Sequence, residues 1–164
     1  MIAPSTILVG VSDRTVWVRV EGKGSFLNST GLKQFSKEMT NRGYRQFVVD
    51  MKQCPVMDST FMGMLTGISL RLRELGSGEL CMMNLNERNR ELLFSLGLDG
   101  FFTMGEAADN AHASLPLAEP LESKQARTET MIEAHEAVVA ANPENETKFK
   151  DVLEYLKQDL HLTR

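Results

Sequence analysis

The chain has 164 residues, 42% hydrophobic and 24% charged, with a net charge of −4. That length suits one domain with or without an appendage, and the composition is that of an ordinary globular protein. Mild acidity without a Lys/Arg block argues against a general nucleic-acid or membrane-surface role.

No apolar run is long enough to cross a bilayer. The short apolar stretch 7–11 has no basic region before it, so a signal peptide is not expected. Cys54 and Cys81 are too few for a disulfide framework and fit a reducing compartment, so a cytoplasmic location is expected. The 10 methionines suit an adaptable core or an adhesive surface.

Residues 7–11 form a possible strand closed by Ser12-Asp13. Residues 15–21 (TVWVRVE) alternate, with Val16, Val18 and Val20 on one face, which is the periodicity of a half-buried strand. Trp17 lies on the more polar face, as a cover for a sheet edge, a contact, or an aromatic packed on its own strand. Residues 21–25 read as a flexible turn. Its Gly22-Lys23-Gly24 lacks the rest of a phosphate-loop signature.

A helix is expected over 29–42, with Leu32, Phe35 and Met39 on one face, Asn28 or Ser29 as N-cap and Gly43 as stop. Residues 44–50 then give a buried strand, since Phe47, Val48 and Val49 have no polar break. A short loop containing Pro55 follows, and Asp58-Ser59 opens a helix that is apolar on nearly every side to Leu72. Gly76 to Gly78 turn the chain into a strand at 79–85. Asn86 caps a helix over 87–96 that ends at Gly97. A last short strand is expected over 98–104, through Phe101-Phe102-Thr103, and a short helix over 105–113.

The order β-α-β-α-β-α-β-α marks an α/β fold with partly parallel pairing. Residues 1–112 are read as the domain and 113–123, with Pro116 and Pro120, as a linker. Residues 124–164 are read as a C-terminal helical extension. Its first helix carries Met131, Ile132, His135, Val138 and Val139; its second, with Asn142 as N-cap, Pro143 as first residue and Glu144 in the first turn, carries Phe149, Val152, Leu153, Leu156 and Leu160 on one stripe. The short connection favours an antiparallel hairpin, packed on the domain or on the hairpin of a second copy as a homodimer.

The stretch 48–74 (VVDMKQCPVMDSTFMGMLTGISLRLRE) has a buried strand ending at Asp50 and an Asp58-Ser59 pair at a helix start. This resembles the STAS domain of bacterial anti-sigma factor antagonists, and the resemblance runs from about residue 15 to 109. It implies a small mixed sheet with helices mainly on one face. Two positions depart from the family pattern. Lys52 stands where the family usually has Ser or Thr, which bears on a hydrogen bond in the loop. Phe61 stands where Gly is commonest, which is expected to reshape the surface beside Ser59.

The resemblance makes Ser59 the residue that a partner kinase phosphorylates. The residue types add that a hydroxyl at a helix mouth can cap the helix, so a capping role stays open. A phosphate there gains about 0.3–1 kcal/mol from the helix dipole. It would add a charge of about −1.5 to −2 beside Asp58.

In the same helix Phe61, Leu65, Ile68 and Leu72 form the core stripe, and Met62, Thr66, Ser69 and Arg73 form another. Gly63 and Gly67 form a third; each costs about 1 kcal/mol against alanine, which asks for a close backbone approach. The candidate partner surface is Asp58, Ser59, Met62, Gly63 and Thr66, unless the C-terminal hairpin covers it, in which case hairpin and partner compete. Asp50 is expected to support the loop. Asp50 and Asp58 offer carboxylates to a cation such as Mg²⁺, but loop hydrogen bonding is the favoured role. Cys54 has no histidine near it in sequence, and His112, His135 and His161 lack metal-ligand spacing, so no catalytic residue, metal or cofactor is expected.

The resemblance implies a phosphorylation-controlled binding module in a partner-switching pathway that regulates transcription. Its partners would be an anti-sigma factor that is a serine kinase of histidine-kinase-like ATPase fold, and a PP2C-type phosphatase. The alternatives are a non-phosphorylated STAS scaffold subunit of a sensory or lipid-transport assembly, and a module that binds a small ligand or nucleotide at the strand–helix mouth.

Overall fold

The computed structural model describes residues 5–106, 112–117 and 123–163. Two antiparallel strands open the fold, β1 (Thr6–Ser12) and β2 (Thr15–Glu21). Asp13 and Arg14 join them with φ of 52° and 63°, the left-handed values of a two-residue mirror-image hairpin turn. Next come α1 (Phe26–Asn41), β3 (Gln46–Asp50), α2 (Ser59–Glu74), β4 (Glu79–Met83) and α3 (Glu87–Ser95). A single 3₁₀ turn, Asp99–Phe101, stands where the first half of the last strand was expected, and leads to β5 (Thr103–Gly105) and then to the two-residue β6 (Leu115–Pro116). Helices α4 (Lys124–Ala141) and α5 (Asn145–Thr163) complete the chain.

The described residues form one six-stranded mixed sheet in the order β5-β4-β3-β2-β1-β6. Strands β2 to β5 are mutually parallel, and β1 is antiparallel to both its neighbours. Period-two alternation decides which side chains meet the helices. Ile7, Val9, Val16, Val18, Val20, Phe47, Val49, Leu80 and Met82 are buried in one core with Leu32, Met39, Phe61, Leu65 and Leu72 of α1 and α2. The other face carries Leu8, Trp17, Val48 and Cys81 half-buried. Helices therefore cover mainly one face, as the family resemblance implies. The Trp17 ring lies against His112, with centroids 4.8 Å apart.

Helix α4 packs on α2, and α5 packs on α4. Val138 of α4 joins the same core, and Phe149 of α5 packs against it. Part of the hairpin's expected stripe is thus used on the chain's own domain. Val152, read as part of that stripe, is instead exposed on α5, as is Tyr155.

Several boundaries differ from the sequence reading. Helix α1 begins at Phe26, three residues early, because Ser25 and Asn28 form a reciprocal capping box. The Ser25 hydroxyl accepts from Leu27 N at 3.2 Å, and Asn28 Oδ1 accepts from Ser25 N at 2.9 Å. The turn before it is tied down: Gly22 N donates to Gln53 O and Gly24 N to Val56 O, both at 3.0 Å. Asn142 ends α4 rather than capping α5, which starts at Asn145. Part of the expected linker is strand β6, paired with Leu8 and Val9. Of the expected helix over 105–113, Gly105 lies in β5 and residues 112–113 are not helical, while 107–111 fall outside the described residues.

Candidate functional site

The site is built where β3 hands over to α2. Asp50 ends β3 and is 4% exposed. Its Oδ1 accepts from the backbone N–H of Lys52 and from Asn84 Nδ2, both at 3.0 Å. The Lys52 contact to Asp50 is made by its backbone N–H, which any residue but proline supplies. Asn89 of α3 holds the next part of the loop: its Oδ1 accepts from Met57 N and its Nδ2 donates to Cys54 O, each at 3.0 Å. Asn89 is fully buried, and the sequence reading did not single it out. Burial also pushes the Cys54 thiol pKa up, which disfavours the thiolate.

Asp58 is the N-cap of α2, and its Oδ1 accepts from Phe61 N at 2.8 Å. The capping position is therefore taken by Asp58, and Ser59 is the first helical residue. Phe61 points away from the serine into the core, fully buried. A Cβ on Gly24 would lie 2.7 Å from its ring, so the missing side chain at Gly24 makes the room. The expected change to the surface beside Ser59 does not occur, because the large side chain is spent on the core. Asp50 and Asp58 serve separate hydrogen-bond networks. Among the described residues no group of three or more His, Cys, Asp or Glu could hold a metal ion.

The hydroxyl of Ser59 meets the C-terminal hairpin. Its Oγ lies 2.9 Å from His135 Nε2. His135 Nδ1 lies 2.7 Å from Met131 O one turn back on α4. A carbonyl only accepts, so Nδ1 carries a proton, and in the neutral ring Nε2 accepts the Ser59 hydroxyl proton. His135 is 4% exposed and packs on the Phe149 ring, with centroids 5.1 Å apart.

One turn along α2, a Cβ on Gly63 would lie 2.2 Å from Ala134 O. Two turns along, a Cβ on Gly67 would sit 3.7 Å from Ala137 Cβ, an ordinary contact. The glycine stripe is therefore the track on which α4 lies. Met62, Gly63 and Thr66 are buried, and Asp58 and Ser59 half-buried. The residues read as a partner surface come together on this part of α2, and Ser59 and Gly63 lie directly under α4. The histidine that meets Ser59 was legible only as an inward residue of the extension, beside the small Ala134.

The STAS domain profile matches residues 6–111. The chain belongs to the STAS family. Solved structures share the fold at low identity. The anti-sigma factor antagonist SpoIIAA in its unphosphorylated form superposes with a TM-score of 0.56 at 19% identity, over 63% of this chain and 89% of that one. The Bacillus cell-fate determinant SpoIIAA in its phosphorylated form gives 0.53 and 19%, over 63% and 92%. An anti-sigma factor antagonist from Mycobacterium paratuberculosis gives 0.56 and 20%, over 64% and 90%. No curated protein matches the chain. In this STAS chain the matched region ends before α4, so the hairpin over Ser59 lies outside the family's domain. Among the described residues no helix is long and apolar enough to cross a membrane.

Proposed function

We propose that this STAS protein is a binding module of the anti-sigma factor antagonist type, acting in the cytoplasm, with docking on α2 controlled by phosphorylation of Ser59. The observation that carries the reading is the division of labour between Asp58 and Ser59. Asp58 caps α2 through its carboxylate, so the Ser59 hydroxyl can be modified without unpairing the helix end. A phosphate at that first turn gains from the helix dipole, and it alters a surface rather than unfolding a domain. A partner complex made with neutral Ser59 would have to desolvate the added charge, which is costly unless a counter-charge is built in.

On this reading the partner is a serine kinase of histidine-kinase-like ATPase fold that acts as an anti-sigma factor, and a PP2C-type phosphatase restores the hydroxyl. Asp58, Ser59, Met62, Gly63 and Thr66 form the docking end of α2, which a partner reaches by displacing α4, and the output is transcriptional. The SpoIIAA structures support the reading, since that anti-sigma factor antagonist has an unphosphorylated and a phosphorylated form.

Affinity capture from the native cell tests it, with full-length wild type, Ser59→Ala and Ser59→Asp as baits. A partner retained by wild type and Ser59→Ala and lost by Ser59→Asp supports the switch. A partner that binds all three alike overturns it in favour of a scaffold subunit.

A further inference from the structure

We propose that α4 and α5 form an intramolecular clasp over the Ser59 end of α2, latched by Ser59 and His135, and that a phosphate on Ser59 releases it. Its biological use rests on the binding-module reading above; its physics does not.

The contact is specific in shape. Helix α4 comes so close at Gly63 that no Cβ fits there, and the Ser59 hydroxyl donates to His135 Nε2 at 2.9 Å. Polar ties hold the clasp at both ends. Thr30 Oγ1 of α1 donates to Thr130 Oγ1 at 3.0 Å, and Lys33 pairs with Glu133 at 2.8 Å. At the other end Asn145 Nδ2 donates to Leu96 O at 2.8 Å. Apolar burial adds to these ties, since Val138 of α4 lies in the domain core. Beside the seam a groove of about 480 Å³, open to solvent, runs between α1, α2 and α4, lined by Lys37, Met64, Gly67 and Ile68 among others.

The latch accepts a hydroxyl and excludes a phosphate. In the kinase reaction the Ser59 Oγ–P bond forms as the γ-phosphoryl group leaves a nucleoside triphosphate. The diphosphate departs with the bond electrons, and the hydroxyl proton passes to a base of the kinase. The product places three anionic oxygens where a single proton lay between Oγ and Nε2. The imidazole faces that point with a lone pair, its other nitrogen is fixed by Met131 O, and Phe149 packs on its ring. The Asp58 carboxylate lies on the same helix and acts on the phosphate, not on α4. Space therefore drives α4 off α2. The same contact acts in reverse: while α4 is seated, Ser59 and Gly63 are withheld from a kinase or a docking partner. The clasp and a partner are alternative occupants of one surface: a partner displaces α4 from the unmodified chain, whereas the phosphate releases α4 and bars the partner as well.

Histidine modification by diethyl pyrocarbonate, located by peptide mass spectrometry, reads the clasp in the full-length chain. His112 and His161 are exposed references, and His135 is the buried reporter. In wild type His135 is expected to react at least about tenfold more slowly than either reference, as a closed seam dictates. Ser59→Ala removes the bond without adding charge and keeps most of that protection. Ser59→Glu raises the His135 rate by about tenfold or more. Gly63→Leu, which forces α4 away, does the same.

The proposal is overturned if His135 in wild type reacts as fast as the references, or if it stays as protected in Ser59→Glu as in wild type. No kinase or partner is present in this experiment. A failed partner switch therefore leaves the labelling result standing, and a His135 that stays protected in Ser59→Glu removes the clasp without touching Ser59-dependent binding.

Discussion

The carboxylate of Asp58 joins the N-terminus of α2 to Phe26 at the N-terminus of α1. Its Oδ1 accepts from Phe61 N at 2.8 Å and its Oδ2 from Phe26 N at 2.9 Å. One acid thus caps two helices, and its charge faces two helix dipoles. Asp58→Ala is expected to lower unfolding free energy by about 2 kcal/mol, the loss of one cap and one further charged hydrogen bond. Asp58→Asn keeps one acceptor oxygen and falls between. Urea denaturation followed by circular dichroism measures both, and an Asp58→Ala midpoint equal to wild type contradicts the double cap.

The two glycines of α2 predict opposite signs. Gly67→Ala meets only ordinary contact with Ala137, so it gains helix propensity and raises stability by about 0.5–1 kcal/mol. Gly63→Ala has the same propensity gain but drives a methyl group into Ala134 O, so it lowers stability by about 1–3 kcal/mol. Thermal unfolding of the pair decides. Equal shifts would show that α4 does not lie against Gly63.

Asn89 is the hidden support of the site loop. Asn89→Ala leaves Met57 N and Cys54 O unpaired in a buried place and is expected to cost about 2–3 kcal/mol. A loss below about 0.5 kcal/mol, within the range of surface substitutions, would contradict it.

Much of the domain was legible because period and punctuation agree in it. Val16, Val18 and Val20 alternate and are buried, and Phe61, Leu65, Ile68 and Leu72 form one buried stripe. Gly43 stops α1 at a φ of 99°, a value open to few other residues. The start of α1 was not legible. Ser25 and Asn28 are both good caps, and only the reciprocal bonds rank them. Strand β6 is two residues long and owes its existence to the edge of β1, so no local pattern marks it.

The site was half legible. Asp58-Ser59 at the mouth of α2, and glycines that ask for a close neighbour, are properties of the sequence. That the neighbour is α4, that His135 lands on Ser59, and that Asn89 reaches the loop are contacts between segments far apart in the chain. Asn89 in ERNRELL reads as one more polar residue of a solvated first turn, and His135 as one inward residue among several.

The central claim is that Ser59 is a regulated hydroxyl at the mouth of α2. Peptide mass spectrometry of the chain purified from its native cell, across several growth conditions, tests it most directly. The account predicts a phosphate localised to Ser59 on a fraction of molecules that changes with condition. Ser59 unmodified in every condition, with its peptide fully covered, would contradict it.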